Sequence, residues 1–177
     1  MNLRQGVCGA LLALAFSQAV VHAQTTQITT DYLMTLYAPL DPPQPIDASL
    51  LVYNVRDGGW VKGSKVNGTL LAPAADWLRV MPGGSLRLDV RATVKTDDGA
   101  LIYITYNGVI SQSKEASDRF TKGDLLTSKD VYFITAPTMQ TASEKYAWLN
   151  HVQCVGKMVE VKAGQGSFVK YDIFVVR

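Results

Sequence analysis

The stretch 86–108, LRLDVRATVKTDDGALIYITYNG, constrains the fold more than any other part of the chain. Leu86, Leu88, Val90, Ala92 and Val94 alternate strictly with Arg87, Asp89, Arg91, Thr93 and Lys95. A period of two places each set on its own face of a β-strand. Asp97-Asp98-Gly99 then supplies turn chemistry, because glycine takes positive φ without steric cost. A second β-rich run follows, so the segment reads as a hairpin with one apolar and one charged face. The charged row has two readings. It is either the solvated outer side of a sheet, or a row of polar groups pointing into a barrel.

Similar runs recur along the chain. YLMTLYA at 32–38, LLVYNVR at 50–56, VYFITAPTMQT at 131–141, HVQCVGKMVEV at 151–161 and SFVKYDIFVVR at 167–177 have strand chemistry. Trp60–Gly63 and Lys65–Leu71 read as short strands between turns, and ADWLRV as another before the Pro82-Gly83-Gly84 turn. The segment 39–48, with four of the seven prolines, reads as a loop or plug edge. Residues 111–130 are polar and hold one short helix or a long loop, and 143–150 a helical turn or a loop. Turn signals about every ten residues and almost no helical periodicity predict an all-β domain, with sandwich and barrel both open.

Hydrophobic residues make up 47% and charged residues 18% of the 177, enough for one sizeable core. The net charge of +2 offers no broad cationic footprint, so nucleic acid is not an expected partner. The beginning of the chain has the pattern of an export signal: Arg4, the apolar run VCGALLALAF, and Val21-His22-Ala23 before a cut. The apolar run is short against the roughly 20 residues of a membrane span. The expected organisation is therefore a cleaved signal at 1–23, a flexible lead-in at 24–31 and a single domain at 32–177. The product is secreted or periplasmic and has no stable membrane anchor. Cleavage removes Arg4, Cys8 and His22, leaving a net charge of +1, one cysteine (Cys154) and one histidine (His151). No intrachain disulfide and no zinc site of several Cys or His ligands can then be built, so no metal is assigned. Cys154, in a strand-like run, reads as a buried inert thiol.

Several side chains suit a small-molecule site. Trp77, Tyr103, Tyr106, Tyr146 and Trp148 can wall a pocket for a planar, aromatic ligand, and tyrosine also donates hydrogen bonds or moves protons. For any one of them taken alone, core filling is the stronger account. Asn150 can cap a turn or meet a ligand. Asp97 and Asp98 are adjacent and so face opposite ways, which suits a turn better than a catalytic pair. Asn67-Gly68-Thr69 fits a glycosylation sequon.

In order along the chain, ADWLRV, LDVRATVKTDDGALIYITYNG, VYFITAPTMQT and YAWLN resemble the domain-of-unknown-function family 3237, over about Tyr32 to Val176. One departure is PAADW at 73–77, where family members often carry PGGADW. The resemblance implies a single antiparallel β-barrel with a ligand-sized interior, and it favours the lumen for Asp89, Arg91, Thr93 and Asp98. It also implies chemistry that needs no cofactor: some fungal members are associated with cyclising phenolic or polyketide-derived compounds by adding a hydroxyl across an alkene. On that reading Asp89 or Asp98 handles the proton and Arg91 fixes the carboxylate or a phenolate. Tyr103 is a second polar handle, Trp77 and Trp148 stack on the substrate, and Thr93, Tyr146 and Asn150 complete the ligand site. A second reading is a carrier or sensor of a small hydrophobic or aromatic molecule, and a third is a structural module. Homo-oligomerisation stays open.

Overall fold

A computed structural model describes residues 27–177. The expected signal, with Cys8 and His22, lies outside the described residues. The described residues form eleven strands: β1 Thr30–Pro39, β2 Gln44–Asp47, β3 Leu50–Asn54, β4 Trp60–Lys62, β5 Gly68–Val80, β6 Leu86–Thr96, β7 Leu101–Ser111, β8 Leu125–Thr127, β9 Tyr132–Gln140, β10 Cys154–Lys162 and β11 Phe168–Val176. Helix α1, Lys114–Thr121, and a 3-10 helix, Glu144–His151, interrupt them. Eight of the strands close an antiparallel barrel in the order β1, β4, β5, β6, β7, β9, β10, β11, with β11 returning to β1. Closure removes the free edges that a sandwich leaves, and so settles the choice the sequence left open.

The barrel core is its interior. Leu88, Val90, Ala92 and Val94 of β6 meet Ile102 and Ile104 of β7, Met158 of β10, Ile173 of β11 and Leu33 and Leu36 of β1, all buried. β5 is one long strand with an irregularity between Leu71 and Ala75, where two short strands were expected. β3 pairs with the Ala75–Arg79 half of β5, and β4 with the Gly68–Thr69 half. The proline-rich segment is not wholly irregular: β2 pairs with β3 as an outer strand, where Pro45 is tolerated because no further strand needs its N–H. β1 begins at Thr30, and Thr29 exchanges backbone hydrogen bonds with Arg177.

The two barrel ends differ. At one end the turn after β6 meets the 3-10 helix, whose Tyr146 and Leu149 are buried in the core. Here Asp98 accepts hydrogen bonds from Lys145 Nζ at 2.5 Å, Thr96 Oγ1 at 2.5 Å and the Tyr146 hydroxyl at 3.2 Å. Those donors, Lys145 first, hold its carboxyl well below the usual carboxylate range. Leu149→Ala should therefore loosen this plug. Loss of a fully buried leucine typically costs about 2–5 kcal/mol, read as a lower urea midpoint with an unchanged slope.

At the other end lies α1. Ser113 caps it by accepting from the Ala116 N–H at 3.1 Å. Arg119 ties it to Asp130 at 2.8 Å and to Asp124 at 3.5 Å. Ser117, Phe120 and Thr121, three and four residues apart, share the face turned to the barrel opening.

Candidate functional site

The charged row of β6 does not enter the barrel. Arg87, Asp89, Arg91 and Lys95 are exposed and Thr93 half-buried, while the apolar row between them is buried. The lumen placement expected for Asp89, Arg91 and Thr93 is thus corrected. A small closed barrel has one dry face, and burying Leu88, Val90, Ala92 and Val94 there is favourable by roughly 25 cal/mol per Å² of apolar area. Burying the charged row instead would desolvate four charges.

The other candidates also resolve. Trp77 and Tyr103 point outward, 37% and 38% exposed. The Arg91 guanidinium lies over the Trp77 ring at 5.4 Å and pairs with Asp89 at 3.0 Å, forming an exterior cluster. Asp98 and Tyr146 join the hydrogen-bonded plug at the closed end, and Lys65 sits over Trp148 there at 5.4 Å. Asn150 ties the chain before the 3-10 helix: its Oδ1 accepts from Thr141 N at 2.8 Å and its Nδ2 donates to Thr141 O at 2.9 Å. Asn67 makes the same kind of paired bond with the Gly63 backbone, at 3.1 and 2.9 Å. The Cys154 thiol is buried, and burial pushes it up to about 11, consistent with an inert core group.

The structure assembles a different site. A cavity of about 310 Å³ opens beside α1 and runs into the barrel. Most of its wall is apolar, from Leu40, Leu78, Leu88, Val90, Phe120 and Phe133 among others. Its polar centre follows from strand register. Tyr53 faces Asp76, Asp76 faces Val90, and Val90 faces Tyr106, a single row across β3, β5, β6 and β7. Register partners lie side by side, so these groups meet over the cavity. Tyr171 arrives from β11, with its ring 5.9 Å from Tyr106 and 5.3 Å from Phe133, both edge-on.

Among the described residues, Asp76 is the one carboxylate on the cavity wall. Burial is the main cause that pushes its pKa up to about 6, and the nearby Asp89 charge adds to it. The Asp89 backbone N–H, donating to Oδ1 at 3.0 Å, opposes the shift. Burial likewise raises the phenols of Tyr53, Tyr106 and Tyr171 above their ordinary value, and each is raised further by the Asp76 charge. The site therefore holds a carboxyl group that exchanges its proton near neutrality, beside neutral phenols in an apolar enclosure. This is the arrangement that general acid–base chemistry requires.

Asp76 and Tyr171 were missed as site residues in the sequence, and Tyr106 was noted only as a possible pocket wall. Their signal was there. Asp76 shares strand parity with Ala74 and Leu78, Tyr106 with Ile102 and Ile104, and Tyr171 with Val169 and Ile173. A polar group on the apolar parity of a strand is the one that the fold buries.

Comparison with known proteins agrees with this architecture. A UPF0311 protein of Clostridium acetobutylicum is 36% identical over 105 residues, 58% of this chain and 66% of the relative, just under two thirds of its length. The crystal structure of a conserved protein of unknown function from Rhodopseudomonas palustris superposes with a TM-score of 0.75 at 25% identity, covering 86% of this chain and all of that one. A β-barrel-like protein from Acinetobacter baumannii gives a TM-score of 0.70 at 27% identity over 88% of this chain and all of that one. The fold extends to an enzyme from Penicillium herquei, with a TM-score of 0.60 at 18% identity over 89% of this chain and all of that one. The model of the family described as protein of unknown function DUF3237 matches residues 28–176, and the chain belongs to that family.

Proposed function

We propose that the protein binds a small, largely apolar molecule in the barrel cavity and acts on it by acid–base chemistry, with Asp76 as the proton-transfer group. The observation that supports this is the Asp76 carboxyl, held near neutrality among Tyr53, Tyr106 and Tyr171 in an otherwise apolar cavity. The reaction we assign is a cofactor-independent cyclisation of a phenolic or polyketide-derived compound. The protonated Asp76 delivers its proton to one alkene carbon, a substrate hydroxyl oxygen bonds to the other, and the hydroxyl proton returns to the Asp76 carboxylate. Atoms and charge balance, and no electrons are exchanged with a second reactant. Asp76 takes the role the sequence suggested for Asp89 or Asp98. Tyr106 and Tyr171 replace Tyr103, and Phe120 and Phe133 replace Trp77 and Trp148 as walls. Arg4, the apolar run VCGALLALAF and the Val21-His22-Ala23 pattern support export to a secreted or periplasmic location.

The test is turnover of a panel of hydroxylated alkenyl phenols, followed by product chromatography. Asp76→Asn should abolish turnover, and Tyr103→Phe, on the outer wall, should leave it unchanged. For the wild type, kcat/KM should be level below about pH 6 and fall tenfold per pH unit above it, because the acid form is the reactive one. Ligands that bind in the cavity and are always recovered unchanged would instead establish the carrier reading.

A further inference from the structure

We infer that the cavity selects its ligand by charge: it takes an uncharged or cationic molecule that donates a hydrogen bond to Asp76, and it excludes carboxylates and phenolates. This inference rests on the small-molecule reading above and specifies the class of molecule.

Four observations converge on it. First, Asp76 Oδ1 accepts from the Asp89 N–H, and no other hydrogen bond to this carboxyl group forms among the described residues. No sealed side-chain polar atom lacks a partner there, so the second oxygen is reached from the cavity. It is an acceptor awaiting a donor. Second, no lysine, arginine or histidine lines the cavity among the described residues. Third, every group that faces Asp76 from a packed strand is neutral or anionic. Tyr53 comes from β3, Tyr106 from β7 and Tyr171 from β11, each kept protonated by burial, and the Asp89 charge stands behind on β6. Arg79, Arg87 and Arg91, on β5 and β6, have the opposite strand parity and are exposed. Fourth, Tyr106, Tyr171 and Phe133 present aromatic rings, which attract a cation or a flat neutral ring.

Above the titration of Asp76 the cavity therefore carries one negative charge without a protein counter-charge. An entering anion meets like charge at low dielectric and finds only neutral hydroxyl donors, with no cation among the lining residues to offset its lost hydration. A neutral hydroxyl or an ammonium group meets the open oxygen instead.

Four naphthalene probes of nearly equal shape test this by calorimetric titration of the purified protein at pH 7.5. They are 2-naphthol, 2-methoxynaphthalene, 2-naphthylmethylammonium and 2-naphthoate. Naphthol and the ammonium probe should bind at least about tenfold more tightly than naphthoate, and naphthol more tightly than its methyl ether, which lacks the donor. Asp76→Leu should bring naphthol within about threefold of its methyl ether, and the ammonium probe within about threefold of naphthoate, because the acceptor and its charge are gone. Asp76→Asn, which keeps the shape and the Asp89 N–H bond, should bind naphthoate more tightly than the wild type does and the ammonium probe less tightly, even if the leucine variant fails to fold. Naphthoate binding to the wild type as tightly as naphthol overturns charge selection while leaving the cavity as a ligand site. Binding of none of the four, to wild type or variants, removes the ligand site itself and charge selection with it.

Discussion

Asp76→Asn should make the folded protein more stable at pH 8 while removing its proposed activity. The carboxyl titrates near its ordinary value of 3.8 when unfolded and near 6 when folded. Between those values the native state holds the proton more tightly than the unfolded state, so wild-type stability falls as pH rises through that window and is level above it. A shift of this size corresponds to about 3 kcal/mol. Asparagine keeps an acceptor for the Asp89 N–H and carries no charge to desolvate. Its stability advantage over wild type should therefore be small at pH 4, grow to pH 6 and stay constant beyond. Urea unfolding of both proteins at pH 4, 6 and 8 measures it. A wild type that instead gains on the variant as pH rises would mean that Asp76 is not buried as described. A buried carboxyl that lowers stability at neutral pH is the trade that a functional site makes and a purely structural one avoids.

The second large effect is expected at Gly68. It lies where β5 faces both neighbours, opposite Val61 of β4 and Thr96 of β6, so it helps close the barrel. A Cβ at this position would stand 2.3 Å from the Lys95 carbonyl oxygen and 2.8 Å from the Thr96 Cα. Both obstacles are backbone, so no rotamer change relieves them and β5 must move away from β6. Overpacking of this kind typically costs about 1–3 kcal/mol, and backbone obstruction places Gly68→Ala at the upper end, about 3 kcal/mol. Calorimetry should show a lower Tm, and amide exchange should accelerate first along β5 and β6. Gly99, by contrast, is a turn glycine with φ of 87° and open space around it, where alanine strains only the local backbone.

The hairpin at 86–108 shows how far sequence reading reaches. Alternation correctly assigned its strands, its turn at Asp97–Gly99 and the two sets of side chains that share a face. Adding a barrel then misled, because a lumen was taken as a place for polar groups. In a barrel of eight strands the lumen is also the core, and the apolar row has the stronger claim to it. The separation of sequence into short strands at 65–80 failed for a related reason: Ala72-Pro73 looks like a break, yet β5 continues past it through an irregularity on one side. Trp77, Tyr103, Trp148 and Asn150 were chosen for their chemical type, and type does not say which way a side chain points.

By itself the amino-acid sequence determined most of the strand-forming segments, the turn at Asp97–Gly99, the alternating faces of β6 and β7 and the family resemblance, because these follow from local backbone preferences and a period of two. The tertiary structure alone decided that Asp76, Tyr106 and Tyr171 meet. They come from three strands distant in the chain, and only the register of barrel closure places them over one cavity. Burial there, which no local pattern encodes, is what turns an ordinary aspartate into a group that exchanges its proton near neutral pH.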